Sequence, residues 1–221
     1  MVLVSHRHQF IFMKTRKTAS TSLEMYFQPF AQDESSDPVS ENASEAVSAF
    51  GIVGARTSFA KDALVWKNHM SADDIRHNIG REKFNDYAKI ATVRNPYSRM
   101  ISYFFGVNKR LSVSISNQNL FKEFVMFGNW QNDQDVTHFT KDTGRAQYCV
   151  DHVIRFENIN YDLAKVCDTL DLPFEPEKLA NTKSRTQNMI GQLAQWYDKE
   201  MSDRIQQKFQ WVFSRFDYQL Q

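Results

Sequence analysis

The chain has 221 residues, a length that fits one large domain. Hydrophobic residues make up 42% of the sequence and charged residues 24%, which excludes a mostly disordered chain. The formal net charge is only +1, so the chain as a whole does not attract nucleic acid or an anionic membrane surface, and any anion site has to be local.

The sequence contains no signal for a membrane span, a secretion leader or a metal site. No run approaches the roughly 18 apolar residues of a spanning helix, and polar residues at 5–9 interrupt the apolar start. Cys149 and Cys167 stand without the spacing of a zinc site or a disulfide framework. We therefore expect a cytoplasmic protein without a metal.

The first elements are a strand, a basic loop and a helix. The apolar run Phe10–Met13 predicts a buried strand, and a basic, hydroxyl-rich stretch follows at 14–22. Thr21 and Glu24 have the spacing of a capping box, which predicts a helix start, and Pro29 marks its end. Residues 31–49 are acidic and lack Lys and Arg, which indicates a mobile surface loop.

The middle of the chain repeats this alternation. Ser71 and Asp74 form a second capping box, and Gly80 supplies the stop of that helix. The apolar run Ala88–Val93 predicts a strand, and Pro96 suits the first turn of the helix that follows it. This region therefore also reads as helix, strand, helix.

The remaining elements are less regular. Within the polar stretch 112–144 we predict a helix at 120–127. A strand at 152–156 leads into a helix over 161–170, and apolar residues at helical spacing from Ile190 to Phe216 predict one buried stripe.

Strands that alternate with helices favour a mainly parallel sheet, because parallel strands need crossover connections. We therefore predict an α/β fold, with a P-loop NTPase-like parallel sheet flanked by helices on both faces, as one domain over residues 1–221. Ligands of such sheets bind beyond the carboxyl ends of the strands.

Two basic motifs follow predicted strands. Amides at the start of the first helix, its dipole and the side chains of Lys14, Arg16 and Lys17 form a candidate phosphate site. The loop has no glycine, so it is not a standard ATP or GTP loop. Arg94 follows the next strand, and its planar fork suits a second phosphate.

These motifs resemble those of the sulfotransferase family, with most similarity to bacterial and Golgi-type carbohydrate sulfotransferases. The resemblance spans nearly the whole chain. The matching strings are Lys17-Thr-Ala-Ser-Thr-Ser22, Asn68-His-Met-Ser-Ala72, Val93-Arg-Asn-Pro-Tyr-Ser-Arg99, Arg155-Phe-Glu-Asn158, Trp196-Tyr-Asp-Lys-Glu200 and Phe216-Asp-Tyr218. It implies 3′-phosphoadenosine 5′-phosphosulfate (PAPS) as donor and adenosine 3′,5′-bisphosphate as product.

The resemblance also implies binding residues. Arg94 and Ser98 match the residues that hold the donor's 3′-phosphate, and Lys183 and Arg185 match a late loop that closes over the nucleotide. Many relatives have glycine at the small positions of the first loop. The residues expected to bind the phosphosulfate end are Lys14, Arg16, Lys17, Thr18, Ala19, Ser20, Thr21 and Ser22.

Sulfuryl transfer needs charge stabilisation on the leaving phosphate oxygen and a base for the acceptor hydroxyl. Lys17 is the candidate for the leaving side. His69 precedes a helix start, where the dipole disfavours protonation, so it is the candidate base. Glu157 is the alternative base, because related enzymes can use Glu. This scheme requires no metal.

The sequence therefore predicts transfer of a sulfuryl group to a hydroxyl of a carbohydrate or other small alcohol. The acceptor pocket is expected from residues 31–49, 51–59 and 112–144, which carry no readable motif. Two alternatives stay open: a P-loop kinase-like nucleotide enzyme, and a non-catalytic nucleotide-binding protein.

Overall fold

The computed structural model describes residues 2–33, 35–36, 45–56, 64–132, 135–142, 146–179 and 187–220. The strands are β1 Val2–Ser5, β2 Phe10–Met13, β3 Ala46–Val47, β4 Gly51–Val53, β5 Ala88–Val93, β6 Thr140–Asp142, β7 Ala146–Tyr148 and β8 His152–Arg155. The α-helices are α1 Ser20–Phe27, α2 Ala72–Ile79, α3 Arg81–Asp86, α4 Pro96–Val107, α5 Gln118–Phe127, α6 Ile159–Thr169, α7 Lys199–Lys208 and α8 Gln210–Phe216.

Six strands form the main sheet in the order β3-β4-β1-β2-β5-β8. β5 pairs in parallel with both β2 and β8, and these are the three strands that the sequence predicts. The α/β class is confirmed. The other half of the sheet is antiparallel, because β1 turns back onto β2 as a hairpin and β4 and β3 extend from β1.

One face of the sheet packs on α1 and α6. Alternate residues of the strands point to this face, because side chains along a strand alternate in direction. The buried cluster includes Leu3, Phe10, Phe12, Leu23, Phe27, Ile90, Ile154, Leu163 and Val166. These apolar contacts hold α1, and the loop that precedes it, on the sheet.

The chain divides into two compact units, Met1–Val93 with Asp135–Asn181, and Arg94–Gln134 with Thr182–Gln221. The first unit holds both sheets. In the second, the buried Trp196 packs edge-on against Phe105 and Phe121, at centroid distances of 5.6 and 5.4 Å. The single domain over residues 1–221 stays a prediction.

Several local predictions are confirmed. Ser71 and Asp74 form the capping box of α2, Gly80 follows it with a φ of 90°, and Pro96 lies in the first turn of α4. The C-terminal stripe is divided among the 3-10 segment Gln187–Trp196, which is kinked at Gln192, α7 and α8. None of the described helices has the length and apolar character to cross a membrane.

The stretch at 31–49 is described only at its ends. Ala31 ends a 3-10 helix, Gln28–Ala31, and β3 adds a two-residue strand at the sheet edge. Residues 34 and 37–44 lie outside the described residues. The mobile loop therefore stays a prediction.

Candidate active site

The loop between β2 and α1 contains two left-handed residues that are not glycine. Lys17 and Ala19 have φ values of 61° and 60°, and the Thr18 between them does not share this left-handed conformation. Alternation of this kind is typical of nests, in which successive amides face an anion, so we call residues 17–19 the candidate nest. The amides of Ser20 and Thr21 open α1 and have no acceptor within the helix.

The predicted capping box of Thr21 and Glu24 is wrong. The helix begins at Ser20, and its N-cap residue Ala19 makes no side-chain capping hydrogen bond. Glu24 is instead fully buried and binds two cations. Ala19 has no side chain that could cap α1, so the N-cap residue leaves the amides of Ser20 and Thr21 to a ligand.

Three threonine hydroxyls fasten the loop to the end of β5. Thr15 Oγ1 lies 2.8 Å from Thr18 Oγ1 and 2.7 Å from Thr92 Oγ1, and it donates to the Thr92 carbonyl at 2.7 Å. The Thr18 and Thr92 hydroxyls are 2.5 Å apart, and Ser20 Oγ donates to the Thr15 carbonyl at 2.6 Å. The hydroxyls of Thr18 and Ser20 thus shape the loop, and their amides are the groups offered to a ligand.

The other loop side chains differ in exposure. Arg16 and Thr21 are exposed, and Lys17 and Ala19 are half-buried. Ser22 is buried, and its Oγ has no hydrogen-bond partner among the described residues. The cationic groups near the surface of the nest are therefore Arg16 and Lys17.

Lys14 has a partner that its sequence context does not suggest. Its Nζ donates to Glu24 Oε2 at 3.1 Å, while Arg56 Nε and Nη2 donate to Glu24 Oε1 at 2.7 and 2.5 Å. All three side chains are less than one tenth exposed. Lys14 therefore belongs to a buried ion cluster beside the loop.

His69 lies against this loop. Its Nδ1 is 2.9 Å from the carbonyl oxygen of Lys14, and its φ of 56° is left-handed. A carbonyl only accepts, so Nδ1 carries the proton and Nε2 keeps a lone pair. Burial, with the charges of Arg16 and Lys14, lowers the pKa of His69 to about 2. The imidazole is therefore neutral and can accept a proton at Nε2.

His69 also lines a cavity of about 530 Å³. The cavity wall includes the polar residues Lys67, Asn68, His77 and Asn78. This wall lies in the stretch 64–78. The sequence predicts the acceptor pocket elsewhere, from residues 31–49, 51–59 and 112–144. The sequence signal for the wall was the string that contains His69.

Arg94 and Ser98 lie in the second unit and contact each other. Arg94 Nε donates to Ser98 Oγ at 2.8 Å, and both residues are buried. Asn95 caps α4, because its Oδ1 accepts a hydrogen bond from the amide of Tyr97 at 3.0 Å. The Ser98 hydroxyl thus helps to orient the guanidinium.

The remaining candidates are less informative. Lys183 and Arg185 lie outside the described residues. Glu157 is exposed in the short 3-10 helix Phe156–Asn158. Among the described residues, no group of three or more His, Cys, Asp or Glu side chains is arranged to hold a metal ion.

Ala19→Gly should increase the free energy of unfolding by up to about 1 kcal/mol. An L-residue is strained at a left-handed φ, and glycine is not. Urea denaturation measures the change. Ala72→Gly in the first turn of α2 is the matched control, and it should destabilise the protein by at least about 0.5 kcal/mol. A destabilised Ala19→Gly variant would contradict the strained loop.

Protonation of His69 should destabilise the fold at low pH. The pKa of His69 is about 2 in the folded protein and about 6.5 when unfolded, so its contribution is complete above 6.5 and declines as pH falls toward 2. His69 contributes at most about 1.4 kcal/mol per pH unit to the slope of the unfolding free energy against pH.

His69→Asn keeps a donor for the Lys14 carbonyl, tolerates the left-handed φ and cannot titrate. Its unfolding free energy, measured by urea denaturation from pH 4 to 7, should therefore depend less on pH than that of the natural protein. His6 and His8, whose pKa values burial also lowers, are present in both proteins and cancel in the comparison. Parallel curves would refute the low pKa.

Comparison with known proteins identifies the family of the chain. A family model described as the sulfotransferase family matches residues 1–219. An uncharacterized protein of Archaeoglobus fulgidus is 30% identical over 117 residues, which cover 51% of this chain and 92% of that protein. No solved structure matches the chain. Because the family match extends over nearly every residue, the chain belongs to the sulfotransferase family.

Proposed function

We propose that this sulfotransferase moves a sulfuryl group from PAPS to a hydroxyl of a carbohydrate or other small alcohol. The observation that carries the proposal is the glycine-free nest at 17–19, which continues into the uncapped start of α1. Backbone amides at a helix start, beside Arg16 and Lys17, suit a phosphosulfate group.

The donor would be held by groups of two kinds. The amides from Thr18 to Thr21, with Arg16 and Lys17, would bind the 5′-phosphosulfate end. The amide of Ser22, which the sequence also suggested, already donates to the Ala19 carbonyl at 3.0 Å. Arg94 and Ser98 would bind the 3′-phosphate, as the family resemblance implies, and the bond between their side chains supports this role. Lys183 and Arg185 remain candidates for a covering loop.

The donor supplies a sulfur atom that is open to in-line attack. In the transfer step a bond forms between the acceptor oxygen and sulfur, while the bond between sulfur and the phosphate oxygen breaks. Lys17 would stabilise the negative charge that develops on that phosphate oxygen. His69 Nε2 would take the proton of the acceptor hydroxyl.

The low pKa of His69 fits this role only when anions are near. A base with a pKa of about 2 is weak at neutral pH. A polyanion bound in the adjacent nest would raise that pKa, because negative charge favours the protonated imidazole. The base would therefore become effective when the donor is bound.

The cavity beside His69 is the proposed acceptor site. Polar and apolar residues line it together: Lys67, Asn68, Asp74, His77 and Asn78 with Leu64, Val65 and Met70. The polar groups could make hydrogen bonds to acceptor hydroxyls, and the apolar ones could pack against carbon atoms of the acceptor. A mixed lining of this kind suits a sugar or other small alcohol.

Isothermal titration calorimetry of the purified protein tests the nucleotide. Adenosine 3′,5′-bisphosphate should bind at least about tenfold more tightly than ATP with magnesium, because ATP lacks the 3′-phosphate that a charge-assisted pair can recognise. ATP binding that is equal or tighter would refute the proposal and favour a kinase-like enzyme. Nucleotide binding without transfer to a panel of sugars and phenols would favour a non-catalytic binder.

Lys17→Ala should lower the turnover of labelled sulfate by about 100-fold, because a donor to the leaving oxygen acts mainly in the transition state. Bisphosphate affinity should fall much less than turnover does. Lys199→Ala, which removes a highly exposed lysine of α7, is the matched control and should retain activity. Unchanged turnover in Lys17→Ala would contradict the assigned role.

A further inference from the structure

Glu24 is the centre of a buried charge cluster in the first unit. Its carboxylate is fully buried and accepts from Lys14 Nζ at 3.1 Å and from Arg56 Nε at 2.7 Å. Arg56 Nη2 also donates to Gln28 Oε1 at 2.9 Å. One carboxylate thus links the loop after β2 to the segment that follows β4.

Stability alone does not explain this cluster. Taking three charges out of water is costly, and well-packed apolar side chains of similar volume often stabilise a protein as much or more. Buried ionic groups are better suited to holding neighbouring atoms in one arrangement. The question is which atoms Glu24 holds.

Lys14 and Arg56 also accept hydrogen bonds at their backbone carbonyls, and the two donors are consecutive residues. The carbonyl of Arg56 accepts from Asn68 Nδ2 at 3.2 Å, and the carbonyl of Lys14 accepts from His69 Nδ1 at 2.9 Å. The two side chains that meet at Glu24 therefore belong to the two residues that anchor Asn68 and His69.

This anchoring determines the protonation state of the ring. An unconstrained neutral histidine exchanges its proton between both nitrogens, whereas a carbonyl fixed beside Nδ1 retains it there. His69 has a left-handed φ, a conformation that persists only when its surroundings impose it. The lone pair of Nε2 is then available for every turnover.

We propose that Glu24 is a positioning residue that fixes the His69 imidazole as the Nδ1–H tautomer by holding Lys14 and Arg56. The inference that this matters for catalysis rests on the proposed function of His69 as the base. The positioning itself does not, because the tautomer is a property of the free protein. In a catalytic triad the carboxylate accepts a hydrogen bond from the imidazole directly. Here Glu24 would act indirectly, through the residue whose carbonyl accepts that hydrogen bond.

Nitrogen-15 NMR of the imidazole rings in the free protein at pH 7 reports the tautomer directly. The unaltered protein should show His69 as Nδ1–H, and Glu24→Gln should show a mixture with Nε2–H. Glu24→Asp keeps the charge, so both cations stay compensated, but it shortens the reach by one methylene and should give a smaller change. Glu82→Gln, an exposed position on α3, is the matched control and should change nothing.

Activity gives a second readout. Turnover should fall about 10- to 100-fold in Glu24→Gln, while the affinity for adenosine 3′,5′-bisphosphate changes less than about threefold. A folded Glu24→Gln or Glu24→Asp variant with pure Nδ1–H at His69 would overturn the proposal, as would Nε2–H in the unaltered protein. If neither variant folds, Lys14→Met keeps the carbonyl beside Nδ1 and the pair of Arg56 with Glu24, but it removes the bond from Lys14 to Glu24. An unchanged tautomer in that variant would overturn the proposal equally.

The two proposals fail in different ways. A protein that transfers no sulfate but shows the expected tautomer shift would keep Glu24 as a positioning residue and remove the catalytic role of His69. A protein with normal transfer and an unchanged tautomer in the Glu24 variants would keep the proposed sulfotransferase function and remove the positioning role of Glu24.

Discussion

The parallel pairing of β2 with β5 is the constraint on which the candidate site depends. Its register sets Phe10 opposite Ala88 and Met13 opposite Ala91, so both strands end at the same edge of the sheet. The loop after β2 consequently meets the last residues of β5, where the hydroxyl cluster joins them. Left-handed backbone is strained in residues other than glycine, so Lys17 and Ala19 need this support to keep that conformation.

The candidate nest has left-handed residues without containing a glycine. Glycine usually supplies positive φ at little cost, and here Lys17 and Ala19 adopt it under the restraint of buried hydroxyl contacts. A side chain at Lys17 also places a cation directly on the nest. The strain would therefore serve the proposed phosphate binding, because the same residue shapes the backbone and carries charge.

Charge around the nest is arranged in two layers. Arg16 and Lys17 lie toward the surface, whereas Lys14 is neutralised by Glu24 inside. His69 is adjacent to both layers, and its burial, supported by these charges, lowers its pKa and keeps the imidazole neutral in the free protein. A ligand with negative charge would alter that balance, so donor binding and base strength are expected to be coupled.

The sequence alone determined the local features. The bounds of β2 and β5, the capping box of α2 and the proline that opens α4 all follow from residues adjacent in the chain. The two motifs at strand ends were also recognisable, because residue type and order carry that signal. These features need only propensities and patterns within a few residues.

Only the tertiary structure decided which residues the buried charges and hydroxyls bind. Glu24 had the spacing of a helix cap, yet it binds Arg56, 32 residues away, and Thr15 meets Thr92 across 77 residues. The antiparallel half of the sheet was missed as well. The pairing of β1 with β4 joins segments that lie far apart in the chain, whereas the hairpin of β1 with β2 is local and was overlooked because polar residues interrupt the apolar start. Buried charges and hydroxyls take whichever partners the fold brings within reach, because leaving them unpaired is costly, and no local pattern specifies which partners those are.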